Sequence, residues 1–251
     1  MIIAPNKRII RTYEKPSYEW TQRFGLNRKH WASRGLVGCW LMNEGGGGKI
    51  FDLSGNGKTG TFVGDTHFVP GKFGYCLYFD GTGDYVLTTA NLYSMLGTNA
   101  SKLSVNLWFR CSVSPYDRLI CCRSAAGNNN GFEIYLHDDS TFILAAIDTT
   151  TGYHSGYVTV KALDDTWRML TLTWDGTDAY IYMNGIYNTT FASGGTISED
   201  ATLLFGVDYS LNPARYYIGK LDNIMIFNRA LSASEIALLN REPFCMFEDL
   251  I

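Results

Sequence analysis

The carboxylates are the first residues to consider for catalysis, because none of the four His lies near a Ser or Cys in a nucleophile pattern. Glycosidases that work from a strand need acidic residues two positions apart, which then share one face of that strand. Glu133 has no acidic residue at that spacing, and Asp138-Asp139 and Asp164-Asp165 fall in predicted turns. We interpret these carboxylates as solvated turn residues and predict that the chain is not an enzyme.

A loop around residue 54 carries oxygen donors that a hard cation prefers. Asp52-Leu-Ser-Gly-Asn56-Gly combines a carboxylate, an amide and the backbone carbonyls of a tight turn. The same two side chains are equally suited to capping the turn through Asx-type hydrogen bonds, so both interpretations stay open. Gly45–Gly48 is not predicted to cradle phosphate, because Lys49 leads into a strand-like step and not into a helix.

The cysteines and the chain start indicate a reducing compartment. The six Cys lack a C-x-x-C pair, and we predict that they are small buried hydrophobic residues. The start after Met1 lacks the apolar core of a secretory signal, and the apolar runs are too short to span a bilayer. We therefore expect folding in a cytosol, without membrane contact.

Charge is unevenly distributed along the chain. Residues 1–35 hold eight basic and two acidic side chains, a formal +6, whereas the remaining 13 basic and 22 acidic groups give −9, and the two sum to the net −3. The first 34 residues show no regular period and are predicted to be an extended basic arm that binds an acidic surface. Aromatic residues interrupt the basic ones, which disfavours nucleic acid. The predicted partner-binding residues are Lys7, Arg8, Arg11, Tyr13, Trp20, Arg23 and Trp31.

From residue 35 the pattern is that of short strands. The chain is 46% hydrophobic and 14% aromatic, with 26 Gly and only 18% charged residues, which is typical of a β protein. Leu103–Cys111 alternates apolar and polar residues and is predicted to be a half-buried strand, and Trp167–Met183 is predicted to be a hairpin. More than ten such runs predict two packed sheets. The capping box Ser232-Ala-Ser-Glu235 predicts one helix, ending near Arg241.

Five segments in a fixed order resemble laminin-G-like, concanavalin A-like jelly-roll domains. They begin Gly35-Leu-Val-Gly-Cys-Trp-Leu, Asp52-Leu-Ser-Gly-Asn-Gly, Tyr78-Phe-Asp-Gly-Thr-Gly-Asp, Trp167-Arg-Met-Leu-Thr-Leu-Thr-Trp-Asp-Gly and Lys220-Leu-Asp-Asn-Ile-Met-Ile-Phe. The resemblance covers roughly residues 35–240 and implies an all-β, two-sheet antiparallel jelly-roll sandwich with one short C-terminal helix. We therefore divide the chain into an arm (1–34), a jelly-roll domain (35–241) and a tail (242–251).

The resemblance also implies candidate sites. In such jelly rolls the first and last strands lie together, which would bring Asp222 near Asp52 and add Glu44 as a further Ca²⁺ ligand beside Asn56. Outward-facing rings could bind glycans, and the candidates on the predicted strands are Trp108, Tyr135, Tyr153 and Tyr157. The fold alone does not choose among lectins, glycan-binding modules, enzymes and adhesion proteins.

The arm and the tail resemble the flanks of laminin-G-like proteins encoded by tailed bacteriophages. This resemblance implies a non-enzymatic virion protein, such as a capsid decoration protein, that assembles in the host bacterial cytoplasm. Its expected partners are the major capsid protein or other virion subunits, and further copies of itself, for example in a trimer. The alternative is a carbohydrate-binding, lectin-like module that recognises surface glycans, and a carbohydrate-active enzyme is the weaker third option.

Overall fold

The computed structural model describes residues 15–16, 24–111, 117–124, 131–137, 142–159 and 164–249, which fold mainly as antiparallel strands. In chain order the strands are β1 Phe24–Leu26, β2 Leu36–Trp40, β3 Lys49–Ile50, β4 Gly60–Val63, β5 His67–Gly71, β6 Gly74–Asp80, β7 Tyr85–Asn91, β8 Leu103–Arg110, β9 Arg118–Arg123, β10 Gly131–Leu136, β11 Phe142–Thr149, β12 Gly152–Thr159, β13 Arg168–Trp174, β14 Asp178–Met183, β15 Ile186–Ala192, β16 Thr202–Phe205, β17 Ile218–Phe227 and β18 Phe247–Asp249. The helices are α1 Leu92–Leu96 and α2 Ala233–Arg241.

Two large sheets stack to form the body. Sheet I has the strand order β12-β11-β10-β9-β16-β7-β4-β3, and sheet II has the order β15-β14-β13-β8-β17-β6-β5, with β2 also paired to β17. The jumps between distant strands, such as β8 beside β17, are those of a jelly roll and not of a simple meander. The predicted two-sheet antiparallel jelly-roll sandwich is confirmed.

The main core lies between the two sheets. In β8 the predicted inward residues Leu103, Val105, Leu107 and Phe109 all belong to it and have no exposed surface. The prediction that this strand is half-buried is wrong, because its other face is buried as well. A second apolar layer covers the outside of sheet II, so β8 lies in the middle of three layers.

Helix α2 and the C-terminal segment form this second layer. Ile236, Leu239, Phe244 and Met246 have 1% or less of their surface exposed and pack against the outer face of sheet II. The predicted capping box is present, since Ser232 accepts from the Glu235 backbone N–H and the Glu235 side chain accepts in return from the backbone N–H of Ser232. Residues 242–249 are thus part of the folded body and not a loose tail.

The described part of the predicted arm also packs on the body. Strand β1 pairs with β18, and the 3-10 turn Trp31–Ser33 places Trp31 against the second apolar layer. Farther upstream, the Lys15 ammonium donates to a carboxylate oxygen of Asp222 and lies 2.5 Å from the carbonyl of Tyr75. Residues 15–16 and 24–34 therefore contact their own domain. They provide a paired strand for β18, a cation for the buried Asp222 and an apolar side chain for the second layer.

Candidate functional site

The outer face of sheet I collects charged and aromatic side chains over its central strands. In β10 the inward residues Phe132, Ile134 and Leu136 lie in the core, so Glu133 and Tyr135 point outward. Strand β9 contributes Arg118 and Arg123, β11 contributes Asp148, and β12 contributes Tyr153 and Tyr157. We call these seven residues the tyrosine face.

A β-bulge brings Arg118 onto this face. Ile134 lies opposite Ile120, but the next residue, Tyr135, lies opposite Arg118, so β9 holds one extra residue at this point. Leu119 and Ile120 both enter the core as a result. Without the extra residue, strict alternation would turn Arg118 inward. The bulge therefore positions the guanidinium over the Tyr135 ring, 3.7 Å from its centroid.

Four of the charged groups form one connected network. Arg118 Nε donates to Glu133 Oε2 at 2.9 Å, and Arg123 donates to Glu133 Oε1 at 2.6 Å. Arg123 also donates to Asp148 Oδ2 at 3.1 Å. Glu133 is only 2% exposed, so its charge is satisfied inside the protein and not by water.

This arrangement corrects the interpretation of Glu133 as a solvated turn carboxylate. Glu133 lies in the middle of β10 and both of its oxygens accept from arginines. Each oxygen already takes part in a charge-assisted bond, so Glu133 serves as an anchor for the arginines of the face. The turn interpretation holds for Asp164 and Asp165, which are exposed and pair with Arg168 and Arg110.

Two half-exposed rings stand above the network. Tyr153 and Tyr157 are 44% and 49% exposed and share one side of β12 because they are four residues apart. The Tyr153 hydroxyl donates to Glu133 Oε1 at 3.2 Å, and the Arg123 guanidinium lies 4.9 Å from the centre of its ring. Tyr157 has edge contacts with His137 and Phe142. The rings are therefore fixed in place while one side of each stays open.

Burial sets the protonation of the hydroxyls at this face. It raises the pKa of Tyr135, and it raises the pKa of Tyr153 further with help from the negative charge of Glu133. Both hydroxyls therefore stay protonated at neutral pH and can donate hydrogen bonds. The face therefore presents the open sides of the Tyr153 and Tyr157 rings above a buried network of ion pairs.

The structure brings together three of the four predicted glycan-binding aromatics. Tyr135, Tyr153 and Tyr157 lie on the tyrosine face, whereas Trp108 lies on the outer side of sheet II. The sequence reasoning missed Arg118, Arg123, Glu133 and Asp148. The sequence does contain a sign of this network, because the four charged residues lie inside or at the ends of apolar strand runs. An unpaired charge is costly there, so a partner is expected.

The predicted Ca²⁺ ligands are used for hydrogen bonds within the chain. Asp52 accepts from the backbone N–H groups of Cys39, Ser54 and Lys58, and the Asn56 amide donates to Val37 and Ser54. Within the described ranges, no group of three or more His, Cys, Asp or Glu side chains could hold a metal ion. The hydrogen bonds of Asp52 and Asn56 agree with the turn-capping interpretation, and calcium binding by this loop stays a prediction.

Two of those candidate ligands nevertheless keep a buried oxygen without a partner. Glu44 Oε1 accepts from the Phe51 N–H at 2.8 Å, and Asp222 pairs with Lys15, but Glu44 Oε2 and Asp222 Oδ2 accept no hydrogen bond within the described residues. Burial raises the pKa of Asp222 to about 6, with the Lys15 charge opposing the shift.

The predicted partner-binding residues are only partly described. Trp31 packs against the second apolar layer of its own chain. Lys7, Arg8, Arg11, Tyr13, Trp20 and Arg23 lie outside the described residues. In the part of the chain that the structure covers, no helix is long and apolar enough to cross a bilayer.

Fold and face together define a concanavalin A-like β-sandwich with a polar, aromatic-lined sheet surface. A family profile, Laminin G 3, described as the Concanavalin A-like lectin/glucanases superfamily, matches residues 80–237, more than half of the chain. The chain belongs to this family. A comparison with curated protein sequences gives no match.

Solved structures with the same fold include toxin binding domains. The binding domain of Paraclostridial Mosquitocidal Protein 1 superposes with a TM-score of 0.68 at 19% identity, covering 83% of this chain and 52% of that one. Binding domains of botulinum neurotoxin DC, solved with SialylT and with rat synaptotagmin II, both give 0.65, at 15% and 16% identity, over 84% and 82% of this chain and 52% and 51% of theirs. The chain spans about half of each, and at these identities the similarity establishes the fold alone.

Proposed function

We propose that this chain is a non-catalytic, lectin-like module that binds glycans through the tyrosine face. The observation that carries the proposal is the pair of half-exposed rings, Tyr153 and Tyr157, above a buried network of hydrogen-bonding charges. Sugars present apolar C–H faces that pack on flat rings, and Tyr153 and Tyr157 offer two such rings, each held in a fixed position with one open side.

The charge balance of the face favours a neutral glycan. Arg118 and Arg123 are matched by Glu133 and Asp148, so the network carries no formal net charge. A charged sugar would have to compete with these internal ion pairs, whereas a neutral sugar can pack on the open faces of Tyr153 and Tyr157 without displacing them. That similar folds are described as binding domains, one of them solved with SialylT, also supports a binding role.

A glycan array followed by titration calorimetry tests this proposal. Binding of a neutral oligosaccharide should fall about fivefold or more in Tyr153→Ala and in Tyr157→Ala, since each removes a stacking ring worth roughly 1 kcal/mol or more. Tyr187→Ala is the matched control, because Tyr187 is 53% exposed on β15 of sheet II. An array without neutral glycan hits, or equal losses in all three variants, would contradict the proposal. Turnover of a bound glycan would contradict the non-catalytic part.

The virion role is a second candidate, and the uneven charge of the sequence supports it. Residues 1–35 carry a formal +6 against −9 for the rest, which suits an arm that docks on an acidic capsid or other virion subunit. Under this role, particles of the source virus contain the chain, and deleting residues 1–14, which removes Lys7, Arg8 and Arg11, prevents its incorporation. Particles that lack the chain, or that incorporate the shortened chain normally, would contradict the role.

A further inference from the structure

A recess lies on the side of the molecule opposite the tyrosine face, where sheet II meets the end of helix α2. It encloses about 460 Å³, which is within the range of small-molecule sites. Its walls come from the β5–β6 turn, strand β8, the residue before β13, the β14–β15 turn and the last turn of α2. We call it the tryptophan groove, after Trp108 and Trp167, which both line it.

Aromatic rings form a rigid floor in this groove. Phe73 packs edge-on against Trp108 with ring centroids 5.0 Å apart, and it packs in the same way against Phe244 at 5.4 Å. Trp108 is 4% exposed, and its indole N–H is buried without a hydrogen-bond partner in the described structure. A buried donor without a partner is costly, and a ligand acceptor in the groove is one way to satisfy it.

The groove is positively charged in a protein that is negative overall. Lys72 and Arg241 line it, and none of its eight lining residues is acidic. The Lys72 ammonium lies 5.3 Å from the Trp108 ring and 5.6 Å from the Phe73 ring, and it has no carboxylate partner among the described residues. Arg241 donates through Nε to Glu242 at 3.0 Å, which leaves its terminal nitrogens for another acceptor.

Two amides complete the polar part of the site. Asn184 uses its carbonyl oxygen to accept from the Met169 backbone at 2.9 Å, so its amide NH₂ remains a donor. Asn240 is the second lining amide. Flat rings, amides for hydroxyl groups and an unmatched cation together fit a sugar ring that carries a carboxylate.

We propose that the tryptophan groove binds an acidic sugar, with the carboxylate at Lys72 and the sugar ring against Trp167 and Phe73. The site is separate from the tyrosine face, which lies on the other sheet and has a balanced charge. The two faces therefore select sugars of different charge, and neither site depends on the other.

Ligand-observed NMR and calorimetry on the full chain test the groove with D-glucuronate and N-acetylneuraminate, and with D-glucose as the matched neutral sugar. We expect binding of at least one acidic sugar, no binding of glucose at the same concentration, and a loss of about tenfold in Lys72→Gln, as for one charged hydrogen bond. Failure of both acidic sugars to bind, or equal binding of glucose, would overturn the proposal.

Two further variants separate this site from general charge attraction and from the tyrosine face. Lys49→Gln removes an exposed lysine on β3 of sheet I and should leave acidic-sugar binding unchanged. Tyr153→Ala should also leave it unchanged while it lowers neutral-glycan binding. If Lys49→Gln weakens binding as much as Lys72→Gln does, the attraction is non-specific and the groove is not the site. If Tyr153→Ala abolishes acidic-sugar binding, the carboxylate binds at the tyrosine face.

Discussion

At the residue scale, Glu133 holds the tyrosine face together. It accepts hydrogen bonds from Arg118, Arg123 and Tyr153. The two arginines lie on β9, next to β10, and the tyrosine lies on β12, on the far side of β11. A single carboxylate thus fixes two guanidiniums and one of the open rings. Because all of this occurs with little exposure to water, loss of the charge affects both the stability of the fold and the geometry of the face.

Glu133→Gln should lower the free energy of unfolding by about 3 kcal/mol, since removing one partner of a buried ion pair costs roughly 3–5 kcal/mol. Urea denaturation measures the change. Glu242→Gln is the control, because the pair between Glu242 and Arg241 is exposed and should contribute less than about 1 kcal/mol. Similar losses in both variants would show that burial of the network does not determine its energy.

The sequence was informative about rings and less so about charges. Outward tyrosines on alternating strands could be selected because period-2 spacing alone puts them on one face. Arg118 could not be assigned, since the bulge at Leu119–Ile120 reverses its direction and leaves no mark in the pattern. Trp108 was correctly predicted to face away from the main core. The second layer that covers it was not predicted, because its residues come from distant parts of the sequence, such as Phe73 and Phe244.

At the element scale, the N-terminal segment contributes to the fold of the domain. The pairing of β1 with β18 joins strands separated by more than 200 residues, and three-residue strands give no detectable period. Sequence patterns therefore predicted an arm up to residue 34. Helix α2, in contrast, was predictable because its capping box is local, whereas the five-residue helix α1 is too short to show a helical period.

Two truncations test the role of this segment. Deleting residues 1–14 keeps every described contact and should leave the melting temperature nearly unchanged. Deleting residues 1–34 removes β1, Trp31 and Lys15, and it leaves Asp222 buried without its cation, so the free energy of unfolding should fall by about 3 kcal/mol or more. Calorimetric melting compares the two chains. Equal stability of both would mean that the segment adds nothing to the domain.

At the scale of the whole molecule, the sandwich is stabilised without covalent cross-links. All six cysteines are free thiols, and five of them are buried, as the sequence predicted for small hydrophobic residues. Two sheets, a second apolar layer and the N-terminal segment provide enough buried surface for a chain of this size.

The thiols should be protected in the native state. Burial raises the pKa of Cys76, Cys111 and Cys121 to about 12 and that of Cys245 to about 11, so little thiolate is present at pH 8. A colorimetric thiol reagent should react slowly with the native protein and with six groups in denaturant, and a reductant should not change the melting temperature. Rapid native reaction of several thiols, or a melting temperature that falls on reduction, would contradict this expectation.

The pairing of the first and last described strands determines how the molecule responds to tension. Phe24 lies opposite Asp249 and Leu26 opposite Phe247, so a force that pulls residue 24 away from residue 249 reaches the outermost pair first. Antiparallel hydrogen bonds run across the strands, and in this geometry they break one after another and not all at once. A pull applied at residues 24 and 249 would therefore unzip β1 from β18 at low force while the sandwich, with the tyrosine face and the tryptophan groove, stays folded.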